Sequence, residues 1–296
     1  MARATVGQIE LEYDTVGSSA DPTILLVMGL GAQLIHWHEN FCGMLADGGF
    51  HVVRFDNRDA GLSTKFDGVD VDFAALVAGA LEGQEVFDTP YDLSDMADDA
   101  FGLLDALEIE RAHVVGASLG GMIAQTMAIE RPERLISLTS IMSATGTREV
   151  IGIPDDSLAL LLAPAPTERE QYLDYSAKYA TWCSKKYFDP DVARQHAAVA
   201  YDRCHYPDGS GRQIAAMLAS GDRESSLAKM TIPTLVIHGR DDRLILPELG
   251  MRTAAVIPAS NFLFLSDMGH DLPEPLWPVV VDSIHSHVRN CALVRN

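Results

Sequence analysis

Hydrophobic residues in this chain fall into short dense runs separated by longer amphipathic stretches. The runs are Thr23-Ile24-Leu25-Leu26-Val27-Met28, His51-Val52-Val53-Arg54-Phe55, Ala112-His113-Val114-Val115, Leu135 to Met142, Pro233 to Gly239 and Asn261 to Leu265. Continuous β-branched and apolar segments of this length fit strands buried on both faces. Residues 6–16 instead alternate, with Val6, Ile9, Leu11 and Tyr13 among polar neighbours, which predicts a half-exposed antiparallel strand or hairpin at a sheet edge. Helical spacing appears over 37–46, 121–130 and 276–289. It is clearest over 93–107, where Met96, Ala100, Leu103, Leu104 and Leu107 share one side and Asp95, Asp98, Asp99 and Asp105 lie elsewhere. Segments 66–90 and 206–212 read as loops.

Between about 146 and 229 the strand signal disappears. Thr167-Glu168-Arg169-Glu170 has the form of a capping box opening a helical run to about Lys185, and Asp189-Pro190 places a cap and a first-turn proline before a helix over 191–204. Strand and helix then alternate again. Repeated β-loop-α units with one all-helical interruption predict a mostly parallel sheet covered on both faces, with the insertion over its carboxyl edge. The expected division is a core of 1–145 and 230–296 and a helical cap of 146–229.

Composition narrows the function. The 296 residues include 47% hydrophobic ones, ample for a sizeable core. A net charge of −20 and a pI near 4.7 disfavour nucleic-acid and anionic-membrane partners. The first residues lack an apolar signal region and no run approaches membrane-spanning length, so the expectation is a soluble, cytoplasmic protein. Cys42, Cys183, Cys204 and Cys291 lack metal-ligand spacing and read as free thiols; no metal site is expected. The pattern carries no signal of oligomeric state.

Chemistry concentrates in Gly116-Ala117-Ser118-Leu119-Gly120, which follows a buried run and precedes a helix. In that context G-x-S-x-G lifts a serine hydroxyl clear of the sheet on a strained turn at a helix N-terminus, a site suited to acyl transfer; elsewhere the same pattern is an ordinary glycine-rich turn. A serine needs a base and a group to orient it. Of 10 histidines, His270 stands in Met268-Gly269-His270-Asp271, directly after the last predicted strand, on the edge where a ring can reach Ser118. Asp242, three residues past Gly239, fits the orienting acid, with Asp241 its more solvated rival. The strand ending near Met142 is followed by no carboxylate before Glu149, which favours Asp242. Backbone N–H groups of Leu119 and Leu30 are the candidate oxyanion donors. Met28, Trp37, Met122, Met142 and Trp182 are candidates for an apolar acyl pocket, although packing is the commoner role of such residues.

The sequence resembles the α/β-hydrolase superfamily over nearly its whole length. The resemblance is carried by Val27 to Gly31, Asp56-Asn57-Arg58-Asp59-Ala60-Gly61-Leu62-Ser63, the Ser118 segment with Gly121, Pro233 to Asp242 and Met268-Gly269-His270. Within the superfamily it is most similar to aclacinomycin methylesterase-like enzymes, which also carry Met-Gly at the oxyanion loop. The resemblance implies an α/β-hydrolase fold with a mostly parallel sheet of about eight strands, helices on both faces and a helical cap. It also implies a cofactor-free hydrolase of small-molecule carboxylic esters. Thioesterases, lactonases, carbon-carbon bond hydrolases and cofactor-free perhydrolases share the same spacing and stay open. So does a non-catalytic receptor on the same fold. Gly29-Leu30-Gly31-Ala32-Gln33-Leu34 only imitates a dinucleotide fingerprint, because Leu34 stands at the third glycine position.

Overall fold

The buried runs form one sheet of eight strands in the order β1-β2-β4-β3-β5-β6-β7-β8. In this computed structural model β1 is Ala2–Val6, β2 Ile9–Val16, β3 Thr23–Val27, β4 His51–Phe55, β5 Ala112–Ala117, β6 Leu135–Ile141, β7 Thr234–Gly239 and β8 Asn261–Leu265. The structure describes all residues except 73–74, 77, 80–81, 83–87, 147–153, 259 and 294–296. Strands β3 to β8 pair in parallel, and only β1–β2 and β2–β4 are antiparallel. The alternating stretch expected over 6–16 is thus a hairpin, and its first strand, starting at Ala2, forms the edge.

The central strands bury both faces, and their alternate residues sort into two apolar layers. Leu25, Val27, Val53, Phe55 and Val114 pack on one face with the helices Leu93–Ala106 and Leu119–Glu130. Ile24, Leu26, Val52, Val115, Ile141 and Ile237 pack on the other, against Glu39–Asp47 and Trp277–Leu293. The observed register keeps each side chain in its layer, since a one-residue slip would move it to the other face. In that register Val27 lies beside Gly116, Ala117 beside Ile141, Ile141 beside Ile237 and Gly239 beside Leu265, which brings the carboxyl ends of β3, β5, β6, β7 and β8 to one rim.

Among the described residues, regular structure between β6 and β7 is helical: Asp155–Leu162, Arg169–Ser176, the short 3₁₀ turn Ala177–Thr181, Pro190–Arg203, Asp208–Ser220 and Glu224–Leu227. Asp189 caps its helix as expected, accepting from Asp191 N at 2.8 Å. Other expectations fail here. The helix expected from Thr167 starts one residue later, with Glu168 as its N-cap and no side-chain cap, and the Thr167 carbonyl accepts from Tyr201 Oη. It also ends early, at Ser176, where it tightens into the 3₁₀ turn Ala177–Thr181 short of Lys185. Of the loop expected over 206–212, residues 206–207 are irregular but 208–212 form the start of Asp208–Ser220. Its glycines conceal it, yet Gly209 is a packing choice, since a Cβ there would lie 2.0 Å from Asp59 O. The loop expected over 66–90 falls partly outside the described residues; within it, 75–76 and 78–79 are helical, and Ala75, Leu76 and Ala78 favour that state. No described helix is long and apolar enough to cross a membrane.

Candidate active site

Ser118 stands where β5 turns sharply into the helix Leu119–Glu130, with φ 55° and ψ −121°. No ordinary L-residue conformation has those angles, and the turn is imposed by its surroundings. Ser118 N donates to Ile141 O at 2.9 Å, and Ser118 O accepts from Gly121 N at 2.9 Å and from Ser143 Oγ at 2.8 Å. The helix can enter this close because Gly120 has no side chain: a Cβ there would lie 2.1 Å from Val27 O. Leu119 N–H, at the first helical position, has no intrahelical carbonyl to bond.

His270 and Asp242 arrive from the ends of β8 and β7. His270 Nε2 lies 2.9 Å from Ser118 Oγ, and His270 Nδ1 lies 2.8 Å from Asp242 Oδ2. The other Asp242 oxygen accepts from Leu244 N and Ile245 N, both at 2.9 Å. Burial pushes the Asp242 carboxyl up, but the charge and hydrogen bonds of His270 and His238 outweigh it and hold the pKa at about 2. An ionised Asp242 draws the ring proton to Nδ1, leaving Nε2 as the acceptor facing the hydroxyl. Asp241 points elsewhere, with Lys185 Nζ 3.5 Å away. Most other histidines make structural bonds, such as His113 to Ser137 Oγ and His285 to Leu45 O.

The remaining candidates are dispersed. Leu30 is half-buried next to Gly29, where a Cβ would lie 3.1 Å from Ser118 Cβ. Met28 and Met142 are buried just past the ends of β3 and β6, and Met122 lies one turn beyond Ser118. Trp37 belongs to the apolar layer under Glu39–Asp47, stacked on Phe41 at 5.6 Å. Trp182 is half-buried, its ring stacked on Tyr179 and its carbonyl bonded to His270 N.

Several residues around the site escaped the sequence reading. Asn57 Nδ2 donates to Met28 O at 2.9 Å, bracing the loop after β3. His238 Nε2 donates to Ile245 O at 2.8 Å and comes within 3.4 Å of Asp242 Oδ2. Its place inside a strand gave no sign of this. Asp271 Oδ1 accepts from Gly269 N at 3.1 Å and Ser184 N at 2.9 Å, tying the His270 turn to the segment before β7. Burial pushes the Asp271 carboxyl up to about 6 despite these bonds. Helices Pro190–Arg203 and Asp208–Ser220 are fastened by buried ion pairs, Arg203 to Asp56 at 2.8 Å and Arg212 to Asp59 at 2.8 Å. Their only sequence signal was the polar density of Asp56-Asn57-Arg58-Asp59.

This sheet, with a strained serine after β5 and a histidine and carboxylate at neighbouring strand ends, defines a class, and residues 22–274 match the family described as alpha/beta hydrolase fold. The chain belongs to that family. Among curated relatives it is 28% identical to rhodomycin D methylesterase DauP of Streptomyces sp. (strain C5), covering 96% of this chain and 97% of that one. It is also 28% identical to a putative carbamate hydrolase of Variovorax paradoxus, covering 88% and 89%. Among solved structures, the enol-lactonase of Burkholderia xenovorans has the same fold, with a TM-score of 0.73 at 21% identity over 99% of this chain and 100% of that one.

Proposed function

We propose that this chain hydrolyses carboxylic esters through an acyl-enzyme on Ser118. The observation that carries the reading is the continuous pair of hydrogen bonds from Ser118 Oγ through His270 to Asp242. Two features support it: the strained turn beneath Ser118 and full-length similarity to a methylesterase. His270 Nε2 removes the hydroxyl proton as Ser118 Oγ attacks the ester carbonyl, and Asp242 stabilises the imidazolium. The N–H groups of Leu30 and Leu119 hold the oxyanion that forms. The alcohol leaves with the proton returned from His270, and water activated at the same nitrogen releases the acid.

The substrate in this reading is a small to medium apolar or polyketide-type ester, taken up under a cap formed by residues 146–229. Met28, Met122, Met142 and Trp182 supply apolar surface for the acyl group, and Trp37 belongs to the layer that Met28 and Met142 share. Labelling with a fluorophosphonate and mapping the adduct tests the nucleophile, and a panel of esters graded in acyl bulk tests the substrate class. An adduct on Ser118, absent in Ser118→Ala together with ester turnover, is the expected result. Turnover that survives Ser118→Ala overturns the reading.

A further inference from the structure

The turn that carries Leu30 is held from outside the sheet. Ala32 N donates to Gly29 O at 3.2 Å, closing a four-residue turn with Leu30 and Gly31 at its centre, and Gly31 has φ 62°. A positive φ at the third position fits a type II turn, whose central peptide is flipped relative to type I. The N–H of that central peptide belongs to Gly31, and it donates to Gln213 Oε1 at 2.8 Å. Gln213 lies in the helix Asp208–Ser220 and is fully buried. Its Nε2 donates to Arg58 O at 2.8 Å, and the Arg58 guanidinium is itself forked onto Asp99 at 2.6 and 2.8 Å. Gly31 N–H can only donate and Arg58 O can only accept, so the orientation of the amide is determined.

We propose that Gln213 is a positioning residue for ester cleavage, tying the turn at Gly31 to the helix Asp208–Ser220 and so fixing where the preceding Gly29–Leu30 peptide, which carries the Leu30 N–H, stands beside Ser118. The inference rests on Leu30 as an oxyanion donor. Without an acceptor on Gln213, the Gly31 N–H loses its bond to that helix, and the turn is free to shift away from it, carrying the Gly29–Leu30 peptide along. Leu30 N–H then moves off the place where negative charge develops. Such a loss falls on the transition state rather than on the bound substrate.

The test is hydrolysis of p-nitrophenyl butyrate by the full chain. Gln213→Leu should lower kcat by about tenfold to a hundredfold, below the loss of a whole oxyanion donor, with KM within about twofold. Affinity for an acyl trifluoromethyl ketone should weaken by the same factor. Proline suits the second position of a type II turn, so Leu30→Pro deletes the donor while keeping the turn, and it should be as impaired as Gln213→Leu or more. An unchanged kcat in Leu30→Pro overturns the oxyanion assignment and this inference with it. A damaged Leu30→Pro beside an unaffected Gln213→Leu overturns the role of Gln213 alone. If Gln213→Leu does not fold, Gln213→Asn, whose amide is one methylene too short to reach Gly31, is judged by the same criteria.

Discussion

The backbone N–H of His270 donates to the carbonyl of Trp182 at 2.7 Å, so the ring that bonds Ser118 is held by a peptide from the helical segment between β6 and β7. The two backbones touch because Gly269 has no side chain. A Cβ there would lie 2.3 Å from Cys183 C and 2.5 Å from Trp182 O. Gly269→Ala should therefore push the two apart. A displacement near 1 Å costs about a hundredfold in rate, so kcat for an activated ester should fall by that order with the fold retained by circular dichroism.

Asp242 should matter to both catalysis and acid stability. Asp242→Asn removes the charge that selects the Nδ1–H tautomer, and kcat should drop by about 10⁴-fold. Its folded pKa of about 2 lies below the ordinary 3.8, so the ionised group stabilises the fold above pH 4. That contribution is lost as pH falls from about 4 towards 2. Chemical denaturation across that window should show a shallower acid slope in the variant.

Asp271 has the opposite sign. Its folded pKa of about 6 exceeds the ordinary 3.8, so the fold binds the proton more tightly and stability declines as pH rises from about 4 to about 6. Asp271→Asn keeps an oxygen for Gly269 N and Ser184 N but does not ionise. The variant should lose this slope and be at least as stable as the parent at pH 8, as read by Tm.

As the proposed nucleophile, Ser118 should trade stability for function. Its φ of 55° is strained for serine, and glycine relieves such strain by about 1–3 kcal/mol. Ser118→Gly should raise Tm while abolishing ester turnover.

Arg212 and Asp59 form a buried pair through two contacts of 2.8 and 2.9 Å, with Tyr91 Oη on the same carboxylate at 2.7 Å. Arg212→Leu strands a buried carboxylate and should cost about 3–5 kcal/mol in urea unfolding. Adding Asp59→Asn should recover part of that loss, since the two changes share one interaction.

The strands were legible because burial on both faces writes unbroken apolar runs, as in Thr23–Val27 and Thr234–Gly239. The meeting of Ser118, His270 and Asp242 followed from that frame, since each stands just beyond a run and parallel pairing brings those ends together. Gln213, Arg212, Arg203 and His238 were not legible. Each is a polar residue whose partner is remote in sequence or across a turn, and such pairings leave no periodic trace. The glycines of Asp208–Ser220 went further and mimicked a loop, because close packing on Asp59 and strand-breaking composition use the same residue.

The fastening of Pro190–Arg203 and Asp208–Ser220 also bears on how specificity can be re-engineered. Arg203, Arg212 and Gln213 each reach a residue in the loops after β3 and β4, where Gln33 in turn donates to the carbonyls of Ala200 and Cys204 at 2.7 Å. A chimaera that imports this stretch from a relative as a cassette inherits bolts without their sockets. Gln33, Asp56 and Asp59 have to travel with the graft, or the host's own nucleophile rim is left half supported.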